Sequence, residues 1–178
     1  MIILPTTYLG SVEWYRQFLA NPIDVEIEVM ESFPKQTYRN RCTIATPDGP
    51  LTLTVPVKRA DSKQLTRDVE ISYQQRWQHQ HWLALVSAYK RTPYFDYYAD
   101  FFRPFYEQET RFLVDFNETI HEVIIRLIAN DEPRIKSQEQ RLITTVDWAG
   151  QDLESTFGNG QSILDILFEY GPESVMKI

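Results

Sequence analysis

Asp24 to Met30 reads Asp-Val-Glu-Ile-Glu-Val-Met, a strict alternation of polar and apolar positions that predicts a half-buried strand. Residues 1–4 are apolar and β-prone, and Pro5 stops them. Between these strands, Ser11 to Ala20 places Val12, Tyr15, Phe18 and Leu19 on one helical face, with Ser11 as N-cap after Gly10. Cys42–Thr46 and Leu51–Val55 flank Pro47-Asp48-Gly49-Pro50, which predicts a β-hairpin, and Asp68–Ser72 reads as a further short strand. From Tyr73 the period changes from two to about 3.6. Trp77, His81, Ala84 and Ala88 form one stripe; Trp82, Leu85 and Tyr89 form the next. Thr92-Pro93 breaks that helix, and further helices follow over 94–106 and 109–129, the second with Phe112, Phe116, Ile120, Val123, Ile124 and Leu127 on its apolar side. Asn130-Asp131-Glu132-Pro133 ends it; 131–160 reads as irregular, with a strand at Leu142–Val146. Ser162 caps a last helix to Tyr170, stopped by Gly171-Pro172. Strands first and helices after, without βαβ alternation, predict an α+β fold. Its sheet is mainly antiparallel, drawn from the N-terminal part, and its helices pack beside that sheet from about residue 74.

Length and composition change this picture little. At 178 residues, 43% apolar and 13% aromatic, the chain is expected to form one domain over 1–178 with a sizeable core. No run of about 18 apolar residues predicts a membrane span. The first residues lack the basic and apolar regions of a signal peptide, and the single cysteine fits a reducing cytoplasm. No cofactor motif is present: the six glycines form no phosphate-cradling loop, and no nucleophile elbow occurs.

Charge changes it more. The net charge is −7, but Ser32 to Arg67 carries seven cations (Lys35, Arg39, Arg41, Lys58, Arg59, Lys63, Arg67) against Asp48 and Asp61. That segment is +5 and the remainder −12. General nucleic-acid binding needs an extended basic face, which this distribution does not supply. A focused site for a small anion fits it better. Lys35-Gln36-Thr37-Tyr38-Arg39-Asn40-Arg41 is the densest part. Arginine meets carboxylate or phosphate with a planar fork, while Gln36 and Asn40 can read hydroxyls or amides of a sugar or nucleotide. If 39–42 run extended, Arg39 and Arg41 share one face while Asn40 and Cys42 share the other. The alternative is a solvated edge strand blunted by charge.

Cys42 and His81 are the candidate catalytic pair, since basic neighbours lower a thiol pKa, against the plainer reading of a small buried hydrophobe and a satisfied core histidine. His79 and His81 lie about 200° apart round a helix, so they do not grip one metal ion. Nine aromatics crowd residues 89–106. Most are core at helical spacing, and Tyr94, Tyr97 and Tyr98 are the ones whose hydroxyls could face a ligand.

Pro5 with Tyr8-Leu9-Gly10, Lys35 through Cys42, Leu53-Thr54-Val55-Pro56-Val57, Trp77, His81-Trp82, Tyr89 and Pro93-Tyr94-Phe95 together resemble the WbqC-like family, over nearly the whole chain. The resemblance implies a bacterial protein associated with surface-polysaccharide gene clusters, and acyl or aminoacyl transfer to sugars. Other branches keep counterparts of Arg39-Asn40-Arg41, Pro56, Trp77, Tyr89 and Pro93 but lack those of Cys42 and His81-Trp82. This shifts the expected shared chemistry toward Asn40 and Arg41 as ligand-holding groups. The expectation is a sugar- or nucleotide-sugar-handling protein with Lys35, Gln36, Tyr38, Arg39, Asn40, Arg41, Lys58 and Tyr94 around a small anionic or sugar-containing ligand. The competing expectation is a non-catalytic scaffold that recognises an acidic partner surface.

Overall fold

The computed structural model describes residues 2–20, 25–58, 63–129 and 160–178. Its first unit is β1 (Ile2–Pro5), α1 (Val12–Ala20) and β2 (Val25–Glu28). The two strands pair in parallel with Ile2 beside Val25 and Pro5 beside Glu28, so the N-terminus is a βαβ unit. Alternation over Asp24–Met30 located β2, but nothing in a four-residue apolar strand announces a partner more than twenty positions away. Among the described residues, two small sheets therefore replace the mainly antiparallel one expected from strand count, although the architecture is α+β.

The second sheet is the hairpin β3 (Arg41–Thr46) and β4 (Gly49–Thr54), antiparallel, with Cys42 opposite Leu53 and Arg41 opposite Thr54. Pro47-Asp48 make the tip, and Gly49 closes it at φ 111°, a conformation that side chains strongly disfavour. Beyond the hairpin the chain runs extended between two neighbours rather than joining a sheet. Lys58 N–H donates to the Glu70 carbonyl, Ser72 N–H to Pro56, Ile71 N–H to Arg111 and Leu113 N–H to Val69. The short strand expected at Asp68–Ser72 is thus a string of single bridges, preceded by a 3-10 turn over Thr66–Asp68.

Among the described residues, four more helices follow: α2 (Trp77–Tyr89), α3 (Phe95–Phe102), α4 (Leu113–Ala129) and α5 (Ile163–Tyr170). The 3-10 turn Arg103–Tyr106 extends α3, and another, Gly171–Met176, follows α5. Leu113, Phe116, Ile120, Ile124 and Ile128 bury one stripe of α4. The aromatic-rich stretch joins the core through Phe168 of α5, whose ring lies 4.9 Å from Tyr89, 5.2 Å from Phe95 and 5.6 Å from Phe102. Gly171 ends α5 at φ 53°, where a Cβ would also sit 2.4 Å from the Tyr94 ring. The strand expected at Leu142–Val146 and the helix stop over 130–133 lie outside the described residues.

Candidate functional site

Where β1 ends, the chain turns through Thr6–Gly10 into α1, and this turn is tied to the basic segment. Tyr8 N–H donates to the Tyr38 carbonyl at 3.1 Å, as does the Thr7 hydroxyl at 3.3 Å. Ser11 caps α1, its Oγ accepting from Trp14 N–H at 3.3 Å; Ser162 caps α5, accepting from Leu164 N–H at 3.3 Å. The two caps face each other: Val12 N–H donates to Gln161 and Ile163 N–H to Gly10, which closes an antiparallel bridge. Gly160 permits this approach, because a Cβ there would stand 2.9 Å from that of Ser11.

These contacts leave a cleft at the carboxyl end of β1, walled by Thr7–Ser11, Tyr38, Arg41–Thr43, Gly160 and Ser162. Its free volume is about 10 Å³, room for roughly one water molecule. Leu9, in its wall, has φ 47°, and Gln36, whose carbonyl accepts from Arg41 Nη1 at 3.4 Å, has φ 65°. No other non-glycine residues among those described have positive φ. Each such residue stores roughly 1–2 kcal/mol of strain, which collects at binding sites.

Arg41 is the cation of this cleft. It is half-buried, its Nε is buried without an acceptor, and no carboxylate pairs with it among the described residues. The other expected cations are placed elsewhere. Residues 35–40 form successive turns rather than a strand, so Arg39 does not share a face with Arg41. Arg39 is buried against Glu31 at 2.5 Å, with Thr37 at 3.3 Å and its guanidinium 4.9 Å from the Tyr38 ring. Burial pushes the Glu31 carboxyl up, Arg39 pulls it back, and Glu28 adds to the rise. Lys58 is exposed and meets Glu70 at 2.6 Å, as does Arg111 at 2.8 Å; these hydrogen-bonded cations hold the Glu70 carboxyl below its usual range. Lys35 and Gln36 lie exposed on the turn. Asn40 is buried at the base of the hairpin, donating to the Val55 carbonyl at 2.9 Å, while its own Oδ1 has no partner among the described residues. Tyr94 is half-buried near α5, packed on Gly171 and stacked on Tyr98 at 5.9 Å. The structure therefore gathers Tyr38, Arg41 and Cys42 at one cleft and leaves the other expected ligand residues outside its walls.

The match to known families then decides the kinship: the model of the WbqC-like protein family covers residues 28–148. The chain belongs to the WbqC-like family. No curated protein and no solved structure matches it. Tyr38, Arg41 and Cys42 fall inside the WbqC-like segment, whereas the walls at Thr7–Ser11 and Gly160–Ser162 fall outside it.

Among the described residues no hydrogen bond joins the expected Cys42–His81 pair. Cys42 is buried on β3; burial and the nearby Asp165 carboxylate push its thiol pKa up against a hydrogen bond from Leu53 N–H, so the nucleophilic thiolate is disfavoured. His81 is buried on α2, and burial lowers its pKa to about 4 against a smaller opposing effect of the Thr54 backbone. Its Nδ1 meets the Tyr8 hydroxyl at 2.9 Å, and the same hydroxyl meets that of Tyr106 at 2.9 Å. Tyr8 contributes its backbone to the cleft wall that Cys42 also lines, and its hydroxyl to His81. Thr7, Tyr8 and Gly160 were not singled out for a site by the residue pattern. Gly10-Ser11 and Gly160-Gln161-Ser162, two glycines just before serine-capped helices, are the signal that points to them.

Proposed function

We propose that this WbqC-like protein holds the anionic end of a sugar-containing substrate, a phosphate or carboxylate, at the Arg41 cleft. It serves bacterial surface-polysaccharide biosynthesis in the cytoplasm, in the step that transfers an acyl or aminoacyl group to a sugar. One observation carries the reading: a guanidinium with no carboxylate partner among the described residues, its Nε buried and lacking an acceptor, lines a cleft at the carboxyl end of a parallel strand. Ligands of α/β units bind at such strand ends, and arginine offers an anion two parallel N–H donors. The positive end of α1 faces the same cleft through Ser11. Acids in the first turns of both helices are already engaged, Glu13 by Arg16 and Asp165 by the Tyr89 hydroxyl at 2.6 Å. Because the cleft has room for only about one water-sized atom, a single oxygen of the anion would enter it, and the rest of the anion and the sugar would lie outside, beside the exposed Lys35 and Gln36.

A thermal-shift screen of nucleotide sugars, sugar phosphates and acyl or aminoacyl donors tests this. The expected result is a rise of several degrees with at least one of them, lost in Arg41→Ala, since binding stabilises the native state in proportion to ligand excess. A wild type that responds to none, or an Arg41→Ala variant that responds equally, contradicts the proposal. The exposed Lys35 and Lys63 favour a second reading, a scaffold for an acidic protein surface; that reading expects a salt-sensitive complex and no small-molecule response.

A further inference from the structure

Tyr8 joins the cleft to the core. Its backbone stands in the cleft wall, one residue before the strained Leu9, while its side chain is wholly buried between elements far away in the chain. The ring stacks on His81 and on Phe116, each with centroids 5.8 Å away, and the hydroxyl is held from two sides, by His81 Nδ1 and by the Tyr106 hydroxyl, both at 2.9 Å. The Tyr8 hydroxyl can donate to one of these partners while accepting from the other, in the sense set by the His81 tautomer. In either arrangement, removing one of these buried groups leaves a neighbour without its partner.

A backbone held at φ 47° without glycine persists only where its surroundings over-determine it. Tyr8 is the anchor immediately beside it, and the cap bridge between Gly10 and Ile163 is the anchor on its other side. We infer that the double clamp on the Tyr8 hydroxyl positions the Thr7–Ser11 wall of the cleft, so that His81 and Tyr106 act on what enters it without touching the ligand. The inference rests on the reading of the cleft as an anion site for its use, but its geometry can be read without any ligand. Cys42 lines the same cleft and is the chain's single thiol, so its alkylation reports the position of the wall.

The experiment follows maleimide labelling of the intact protein by mass spectrometry at neutral pH. Wild type is compared with Tyr8→Phe, Tyr106→Phe, His81→Leu, His81→Gln and a control, Leu85→Ala, which weakens the core on α2 away from the clamp. Tyr8→Phe and His81→Leu are expected to label about tenfold faster, the scale of one or two lost hydrogen bonds. His81→Gln keeps an acceptor for Tyr8 and is expected to restore a rate close to wild type; Tyr106→Phe, which leaves the His81 bond in place, falls between. A purely structural role predicts that rates follow lost melting temperature, with Leu85→Ala as fast as the clamp variants. That result, or Tyr8→Phe labelling like wild type, overturns the inference. If Tyr8→Phe does not fold, the contrast between His81→Gln and His81→Leu decides. A parallel arm adds inorganic phosphate to wild type. Slower labelling supports the anion site; unchanged labelling argues against it, with the clamp then judged on the variant series alone.

Discussion

Arg39 and Arg41 are separated by one residue, yet the turn at 35–40 sends Arg39 inward to Glu31 and leaves Arg41 at the cleft. Their substitutions should therefore behave differently. Arg39→Ala strands a Glu31 carboxylate in a site that is 13% exposed, and urea unfolding should show a loss of about 3–5 kcal/mol, as for other broken buried pairs. Arg41→Ala removes no ion pair among the described residues and should cost less than about 1 kcal/mol, with its effect appearing in ligand response instead. The reverse ordering would mean that Arg41 is a structural group. The density of cations at 35–41 was legible in the sequence. Which of them keeps its charge free was not, because Glu31 pairs with Arg39 through folding rather than through spacing.

Among the elements, periodicity located every described helix and the hairpin, since each buries a face whose repeat is local. It missed the parallel pairing of β1 with β2, and of the loop or strand entrance open to the basic stretch at 35–40 the chain takes the loop, as successive turns. The two serine caps were legible from Gly10-Ser11 and from the break before Ser162, but their meeting was not: they stand about 150 residues apart and bond across Gly10–Ile163 and Val12–Gln161. Ser11→Ala and Ser162→Ala should each cost about 1 kcal/mol in chemical denaturation. Because the caps share one bridge, the double variant should depart from the sum of the singles. Strict additivity would place the two helix ends in separate environments. Phe168→Ala, removing the ring that Tyr89, Phe95 and Phe102 enclose, should cost about 3–5 kcal/mol.

At the scale of the molecule, buried titratable groups pull stability in opposite directions with pH. Burial lowers His81 to about 4 and His121 to about 3, below an ordinary value of 6.5, so the unfolded chain takes up protons that the native one does not. Their contribution is lost as pH falls from about 6.5 toward 3–4, by up to about 1.4 kcal/mol per pH unit for each. Glu118 has the other sign: burial, then Glu122 and Asp115, raise its carboxyl to about 7, so its contribution is full below pH 4.5 and fades as pH rises to 7. Thermal melts of Glu118→Gln against wild type should therefore show a difference that grows in the variant's favour from pH 5 to 8; a flat difference would contradict it. The whole-molecule claim, however, is that β1, the hairpin and α5 bring to a shared cleft a guanidinium with no carboxylate partner among the described residues, and that this cleft accepts an anion. Amide and guanidinium resonances followed during titration with inorganic phosphate test it most directly. The account predicts saturable shifts at Thr7–Ser11, at Arg41–Thr43 including Arg41 Nε, and at Gly160–Ser162, all abolished in Arg41→Ala. Shifts centred on Lys35 and Lys63 with Arg41 unmoved, or no saturable shifts at all, would contradict it.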